Sequence, residues 1–269
     1  MALNILLVGC GKMGNALLGG WLDRGVASSQ IRVVEPQQQF GQEFIDAGIA
    51  YHNTVADVED GFAPNIIMFA VKPQSMDDVA PEYKSFVGQA VFLSIAAGKT
   101  VDYFTNKLGS DAAIVRTMPN TPAAVRSGVT VAFANSLVAE EDKRACTALL
   151  QAVGDVHWVD DEALLDPVTA VSGSGPAYVF LLVECLAKAG VEAGLPEELS
   201  AALARATITG SGDLLTQSPE TATTLRENVS SPGGTTVAAL DVLMGDQGMA
   251  SLMVEAVAAA TRRSKELAG

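Results

Sequence analysis

The sequence predicts an α/β fold: a doubly wound, mainly parallel sheet followed by an all-α C-terminal domain. Three observations carry this. Short apolar runs rich in β-branched residues alternate with helical patterns up to about residue 160. Runs such as NILLV and NIIMFAV are apolar without polar alternation, as strands covered on both faces are. After Asp160 the strand signals vanish and long Ala- and Leu-rich helical segments take over, which places the expected boundary at 160, with domains 1–160 and 161–269.

Strands are expected at 4–8, 31–34, 65–71, 90–95, 113–117, 129–134 and 156–159, with a weaker one near 49–51 and helices between. The first strand runs into Gly9-Cys10-Gly11-Lys12-Met13-Gly14 and then a helical stretch through Arg24. This is a glycine-x-glycine-x-x-glycine turn in its strand–turn–helix setting. The first glycine permits the tight turn, the second lets a pyrophosphate approach the backbone, and the third lets helix and strand pack closely. The helix start adds free N–H donors and a positive dipole end. Glu35 follows Gly14 by 21 residues, at the end of the second strand. The combination marks 1–160 as a Rossmann-type dinucleotide-binding domain.

Later strand ends carry further candidates. VKPQ, at 71–74, closes the strand containing Ile66 to Phe69, on the edge where parallel sheets bind ligands. Lys72 there either reaches a phosphate or ribose, or is a solvated strand-end lysine, and Pro73 suits the first turn of a following helix. AAG, at 96–98, leaves room for a flat ring or serves close packing. TMPNTP, at 117–122, is stiffened by two prolines, and Asn120 in it either pairs with a carboxamide or caps the turn.

In the second part, VSGSGPAY at 171–178 opens a helix that is apolar on every face over 177–187, with Glu184 its only charge. Such a helix must be buried on all sides. About 110 residues can hardly wrap it alone, which points to a second subunit, the alternative being the central core helix of a monomer. ENVSSPGGTT, at 227–236, sets two glycines and two threonines before the helical run VAALDVLM. Its N–H groups and hydroxyls form either a receptor for a carboxylate or phosphate, or a plain N-cap after a turn.

Composition excludes several classes of function. Hydrophobic residues make up 49% and charged residues 18%, too apolar for disorder. A net charge of −14 repels phosphate backbones and anionic lipid, so neither nucleic acid nor membrane is expected as a partner. No uninterrupted apolar run approaches a bilayer span and no secretory signal is read, so the expected location is cytoplasmic. Cys10, Cys146 and Cys185 fit isolated reduced thiols, and with His52 and His157 the only histidines no metal site is expected. The second part offers no obvious general base, and the chain has no GxSxG nucleophile motif. This favours a reaction needing little proton chemistry from the protein, such as hydride delivery to an iminium carbon.

GCGKMGNAL, AVKPQ, AAGKT, RTMPNTPAAV, VSGSGPAYVF and SSPGGTT follow the order and approximate spacing of the pyrroline-5-carboxylate reductases, and the sequence resembles that family over essentially its whole length. The resemblance implies an oxidoreductase of proline biosynthesis acting on a CH–NH group. It would reduce 1-pyrroline-5-carboxylate to L-proline with NADPH or NADH. It implies that Gly9, Gly11, Lys12, Met13 and Gly14 hold the pyrophosphate and that Asn53, Val71, Lys72, Pro73 and Ala97 line the rest of the cofactor site. Asn228 would reach the cofactor held by the partner subunit. Glu162, Gly233, Gly234, Thr235 and Thr236 would surround the substrate, with Thr236 the candidate for a hydrogen bond to the ring nitrogen. The helical domain would form an interlocked homodimer, a further decamer being common in the family.

Glu35 departs from the NADPH-preferring members, which carry serine or a basic residue at that strand end. A carboxylate accepts from ribose hydroxyls and repels a 2′-phosphate, so dual cofactor use with a lean toward NADH is expected. Two rivals are a related imine or β-hydroxyacid reductase, weakened by the small residues SGSGPAY where the latter class carries a catalytic lysine, and an NAD(P)-sensing module without turnover.

Overall fold

The computed structural model describes residues 3–268, apart from the side chains of Gln38 and Phe40. Eight strands form one sheet: β1 (Ile5–Val8), β2 (Ile31–Val34), β3 (Ala50–His52), β4 (Ile66–Phe69), β5 (Val91–Ser94), β6 (Ile114–Met118), β7 (Gly128–Ala134) and β8 (Gly154–Trp158). Their order is 3-2-1-4-5-6-7-8. Neighbours are parallel except β6 and β7, which run antiparallel across the short turn Thr121–Val125. A short connection permits only that pairing, because a parallel crossover needs a dozen or more residues. The expected strands are all present, the weak one near 49–51 as β3.

The helices are α1 (Lys12–Asp23), α2 (Gln42–Asp46), α3 (Met76–Val79), α4 (Val101–Leu108), α5 (Glu140–Leu150), α6 (Leu165–Val168), α7 (Gly175–Glu192), α8 (Glu197–Gln217), α9 (Ala222–Asn228), α10 (Thr235–Leu243) and α11 (Met249–Ala268). Alternation along β1 shows the double winding. Ile5 and Leu7 join a core with Leu17, Leu18 and Trp21 of α1 and Cys146 and Leu149 of α5. Leu6 and Val8 join the opposite core with Phe69, Phe92, Tyr83 and Phe104. Phe69 stacks on Phe92 and Phe104 and meets Tyr83 edge-on. The Trp21 indole N–H donates to the Leu149 carbonyl at 3.0 Å, so burying that ring strands no polar group.

The chain divides into two compact units: residues up to Gly173 together with the segment from Thr261, and Ser174–Ala260. The sheet unit thus takes in residues 161–173 as well as the segment that returns from Thr261. The π-helical segment Thr169–Gly173 and α6 stay with the sheet because their groups are tied there: Asn120 donates to the Ser172 carbonyl at 3.2 Å, and a Cβ on Gly173 would strike Met118. From the far end, Ser264 donates to Asp166 at 2.7 Å, and the Leu267 carbonyl lies against Gly98. In the second unit α7 and α8 pack closely through small residues. Ser200 donates to the Ala187 carbonyl at 2.6 Å, beside Gly190.

Among the described residues of α7 none is buried; Phe180 is 61% and Leu181 57% exposed. One expectation needs correcting. The helical stretch Glu162–Glu192 is, by length and composition, apolar enough to span a bilayer. Counting uninterrupted apolar residues missed it because isolated charges break the run without breaking the mean hydropathy.

Candidate cofactor and substrate site

β1 to β5 are mutually parallel neighbours, so their C-terminal ends share one edge of the sheet. The glycine turn sits on that edge, and the structure assigns each glycine a different reason. Gly9 has φ +91°, and a Cβ there would meet Val71 Cγ1 at 2.7 Å. A Cβ on Gly14 would lie 2.6 Å from the Gly9 carbonyl oxygen. Around Gly11 a Cβ would meet nothing within 4 Å. The first and third glycines thus close the turn onto the protein, and the second leaves its outer face open to a ligand. α1 starts at Lys12 with no side-chain cap and no acidic residue in its first turn. Its N–H donors are therefore left for an anion by the residues of the first turn itself. The residues present fit a dinucleotide pyrophosphate.

Glu35, half-buried just past β2, accepts from the Cys10 N–H (Oε2) and the Gln37 N–H (Oε1), each at 2.9 Å. The Cys10 side chain, fully buried, hydrogen-bonds Asn15 Oδ1 and lies 3.2 Å from the Tyr51 hydroxyl. Burial pushes its thiol up to about 11, the Tyr51 hydrogen bond opposing this and the Glu35 charge adding to it. Burial likewise raises Tyr51, whose bond to Cys10 acts in the same direction. Asn53 follows β3 and is exposed; Val71 touches Gly9; Lys72 is exposed and precedes the 3₁₀ turn Pro73–Ser75; Ala97 is exposed beyond β5. The structure therefore brings the expected cofactor residues of this unit to one edge.

Lys99, Tyr103 and Lys107 converge on Asp77: Tyr103 donates at 3.1 Å and Lys107 at 2.8 Å, while Lys99 lies over the Tyr103 ring. These contacts hold the Asp77 carboxyl below its usual range, the Lys107 bond contributing most. They also tie α3, which follows Lys72 and Pro73, to α4, which follows Ala97.

Asn120 resolves to a structural role. It accepts from the Val129 N–H at 2.9 Å while donating to Ser172, so it clips the proline-rich turn. Glu162 has a partner the sequence reading missed. Its Oε1 accepts from Arg116 Nη1 at 2.8 Å and from the Val101 N–H at 2.9 Å. Arg116, on β6, is only 6% exposed. A basic residue inside the apolar run IVRTM was the available signal, since a buried guanidinium demands a carboxylate.

In the second unit, Asn228 ends α9 and donates to Glu220 at 2.9 Å. Gly233 has φ +71°, Gly234 is the N-cap of α10, and Thr235 and Thr236 form its first turn, which holds no acidic residue and no side-chain cap. The N–H groups and two hydroxyls at this helix start can receive a carboxylate.

Comparison with known proteins agrees with both halves. A family described as pyrroline-5-carboxylate reductase dimerisation matches residues 162–267, and a coenzyme F420-dependent NADP oxidoreductase family matches 4–98. The chain is 37% identical to pyrroline-5-carboxylate reductase of Pseudomonas aeruginosa, over 98% of this chain and 96% of that one. It is 36% identical to that of Escherichia coli, over 99% of each. Among solved structures, a Coxiella burnetii pyrroline-5-carboxylate reductase superposes with TM-score 0.93 at 33% identity, covering 100% of both chains. A Plasmodium falciparum pyrroline carboxylate reductase with NADP bound does so with TM-score 0.82 at 30% identity, covering 99% of this chain and 98% of that one.

Proposed function

The chain belongs to the pyrroline-5-carboxylate reductase family, and from that premise we propose how its residues divide the reduction of 1-pyrroline-5-carboxylate to L-proline. It is an NAD(P)H-dependent oxidoreductase acting on a carbon–nitrogen bond. The observation that carries this reading is the whole-length relatedness, which takes in both the glycine turn and the Gly233–Gly234–Thr235–Thr236 turn.

A nicotinamide bound here would supply a hydride. Gly9, Gly11, Lys12, Met13 and Gly14 hold its pyrophosphate, Glu35 its adenosine ribose, and Asn53, Val71, Lys72, Pro73 and Ala97 the remainder. A protonated cyclic imine is already electrophilic at carbon, so the protein's share is to hold and orient it. Gly233 to Thr236 receive the substrate carboxylate, and the Thr236 hydroxyl donates to the ring nitrogen, water being the alternative proton source. Glu162 would border the substrate, and one of its oxygens accepts from Arg116 and from the Val101 N–H.

The exposed apolar face of α7 and the dimerisation family match support a homodimer. In it Asn228 reaches the partner's cofactor and the active site is shared; assembly to a decamer would extend the same arrangement. The enzyme works in the cytoplasm with either cofactor and favours NADH, because a carboxylate at position 35 repels a 2′-phosphate. Arg32, the nearest upstream cation, is committed to Glu59.

The test is oxidation of NADH and NADPH by the purified protein with and without 1-pyrroline-5-carboxylate. Substrate-dependent oxidation with a higher kcat/KM for NADH is expected. No oxidation would reject the enzyme reading, and a preference for NADPH of about tenfold or more, unchanged in Glu35→Ser, would reject the assignment of Glu35 to the ribose.

A further inference from the structure

We propose that Glu35 is a positioning residue for the phosphate turn in addition to its contact with ribose, so that cofactor choice and turn geometry are set by one carboxylate. The inference rests on the cofactor reading above. Its two oxygens are shared between two loops, Oε2 taking the Cys10 N–H after β1 and Oε1 the Gln37 N–H after β2. Both bonds are made by an ionised acceptor to backbone donors, the stronger class of hydrogen bond.

Cys10 lies between the two glycines that frame the turn, and turning its N–H toward Glu35 fixes the peptide between Gly9 and Cys10. The following N–H groups, those of Gly11, Lys12 and Met13, are then left for the ligand. The turn is pinned a second time from beneath, where the buried thiol of Cys10 meets Asn15 in the first turn of α1 and Tyr51 on β3. Tyr51 in turn packs against Gly41, where a Cβ would meet its ring. Glu35 itself donates its own N–H to the His52 carbonyl at 3.0 Å, which anchors the carboxylate's backbone to β3.

A serine at position 35 would remove repulsion toward a 2′-phosphate, but its short side chain cannot span both loops. The usual exchange for NADPH therefore carries a cost here: the ratio of the two cofactors shifts while affinity for both falls.

A ligand without ribose hydroxyls separates the two roles. ADP and 2′,3′-dideoxy-ADP are titrated calorimetrically into the full-length protein and into Glu35→Ser and Glu35→Gln. If Glu35 acted only on ribose, the dideoxy probe would bind the serine variant unchanged, or more tightly because a negative charge has gone. The positioning role predicts the opposite sign, a loss of about tenfold for the dideoxy probe in Glu35→Ser. A smaller loss is expected in Glu35→Gln, which keeps one carbonyl acceptor. Thermal unfolding of each variant shows that the fold survives, and a general loss of stability would not alter the affinity of the folded fraction. Dideoxy-ADP affinity equal to or tighter than wild type in the serine variant overturns the proposal. Failure of the wild-type protein to bind ADP would instead overturn the cofactor site, and the proposal with it.

Discussion

The two units of this chain solve burial in opposite ways. In the first, both faces of the sheet are covered and the central strands β1, β4 and β5 lie at or near zero exposure. In the second, among its described residues, Ser200 and Ala204 alone are buried, while Phe180, Leu214, Val242 and Leu252 lie open. The second unit is nevertheless the more apolar to read, with Val179, Phe180, Leu181 and Leu182 in succession. Apolar content and self-sufficiency are therefore different properties. One unit encloses its own core, and the other offers half of a core to be completed by a second copy.

The largest effect should come from breaking the half-core. Replacing Phe180 and Leu181 together by glutamate places two charges on the face meant for the partner. The protein should sediment as a monomer and lose about a hundredfold or more in turnover. ADP titration should show the first unit still binding nucleotide. Full specific activity in a demonstrated monomer would end the shared-site reading.

A smaller effect isolates the second unit's chemistry from its assembly. Thr236→Ala removes one hydroxyl from the start of α10 and should raise the substrate KM about tenfold, or lower kcat comparably. Cofactor affinity and dimerisation should stay as they were. Unchanged kinetics would move the substrate receptor elsewhere.

The smallest effect probes the enclosed core of the first unit. Burial raises the thiols of Cys10 to about 11 and Cys146 to about 12 from an ordinary 9.0. Between pH 9 and 12 the folded state holds protons that the unfolded chain releases. This contribution to stability is complete below pH 9 and is lost as pH climbs through the folded values. The melting temperature should be level from pH 7 to about 9 and fall by a few degrees above it. Cys146→Ala should flatten that fall, and an identical slope in the variant would refute the cause.

How far the sequence speaks follows from the range of each interaction. The glycine turn was legible because every demand on it comes from neighbours along the chain or from the adjacent strand end at Val71. The eight strands were legible as apolar runs between turn residues, but hydrophobicity carries no direction, so the reversal of β7 was not visible. That residues 161–173 group with the sheet unit rests on Asn120, Met118 and Ser172 meeting across the chain, which composition cannot report. The ion pair of Arg116 with Glu162 left only the trace of a basic residue in an apolar run, and the hold of Glu35 on Cys10 depends on tertiary geometry. The unburied face of α7 was legible because it is a statement about what the chain lacks room to cover.

The return of the segment from Thr261 to the sheet unit has a consequence for biosynthesis. The nascent chain emerges from the ribosome with β1 to β8 already made and able to pair. The groups that meet Asp166 and Gly98, Ser264 and Leu267, emerge only after the whole of α7 to α10 has followed. Domains usually finish in the order they are translated. Here the first to start closes last, and while it waits the apolar helices of its successor are already exposed, open to another chain.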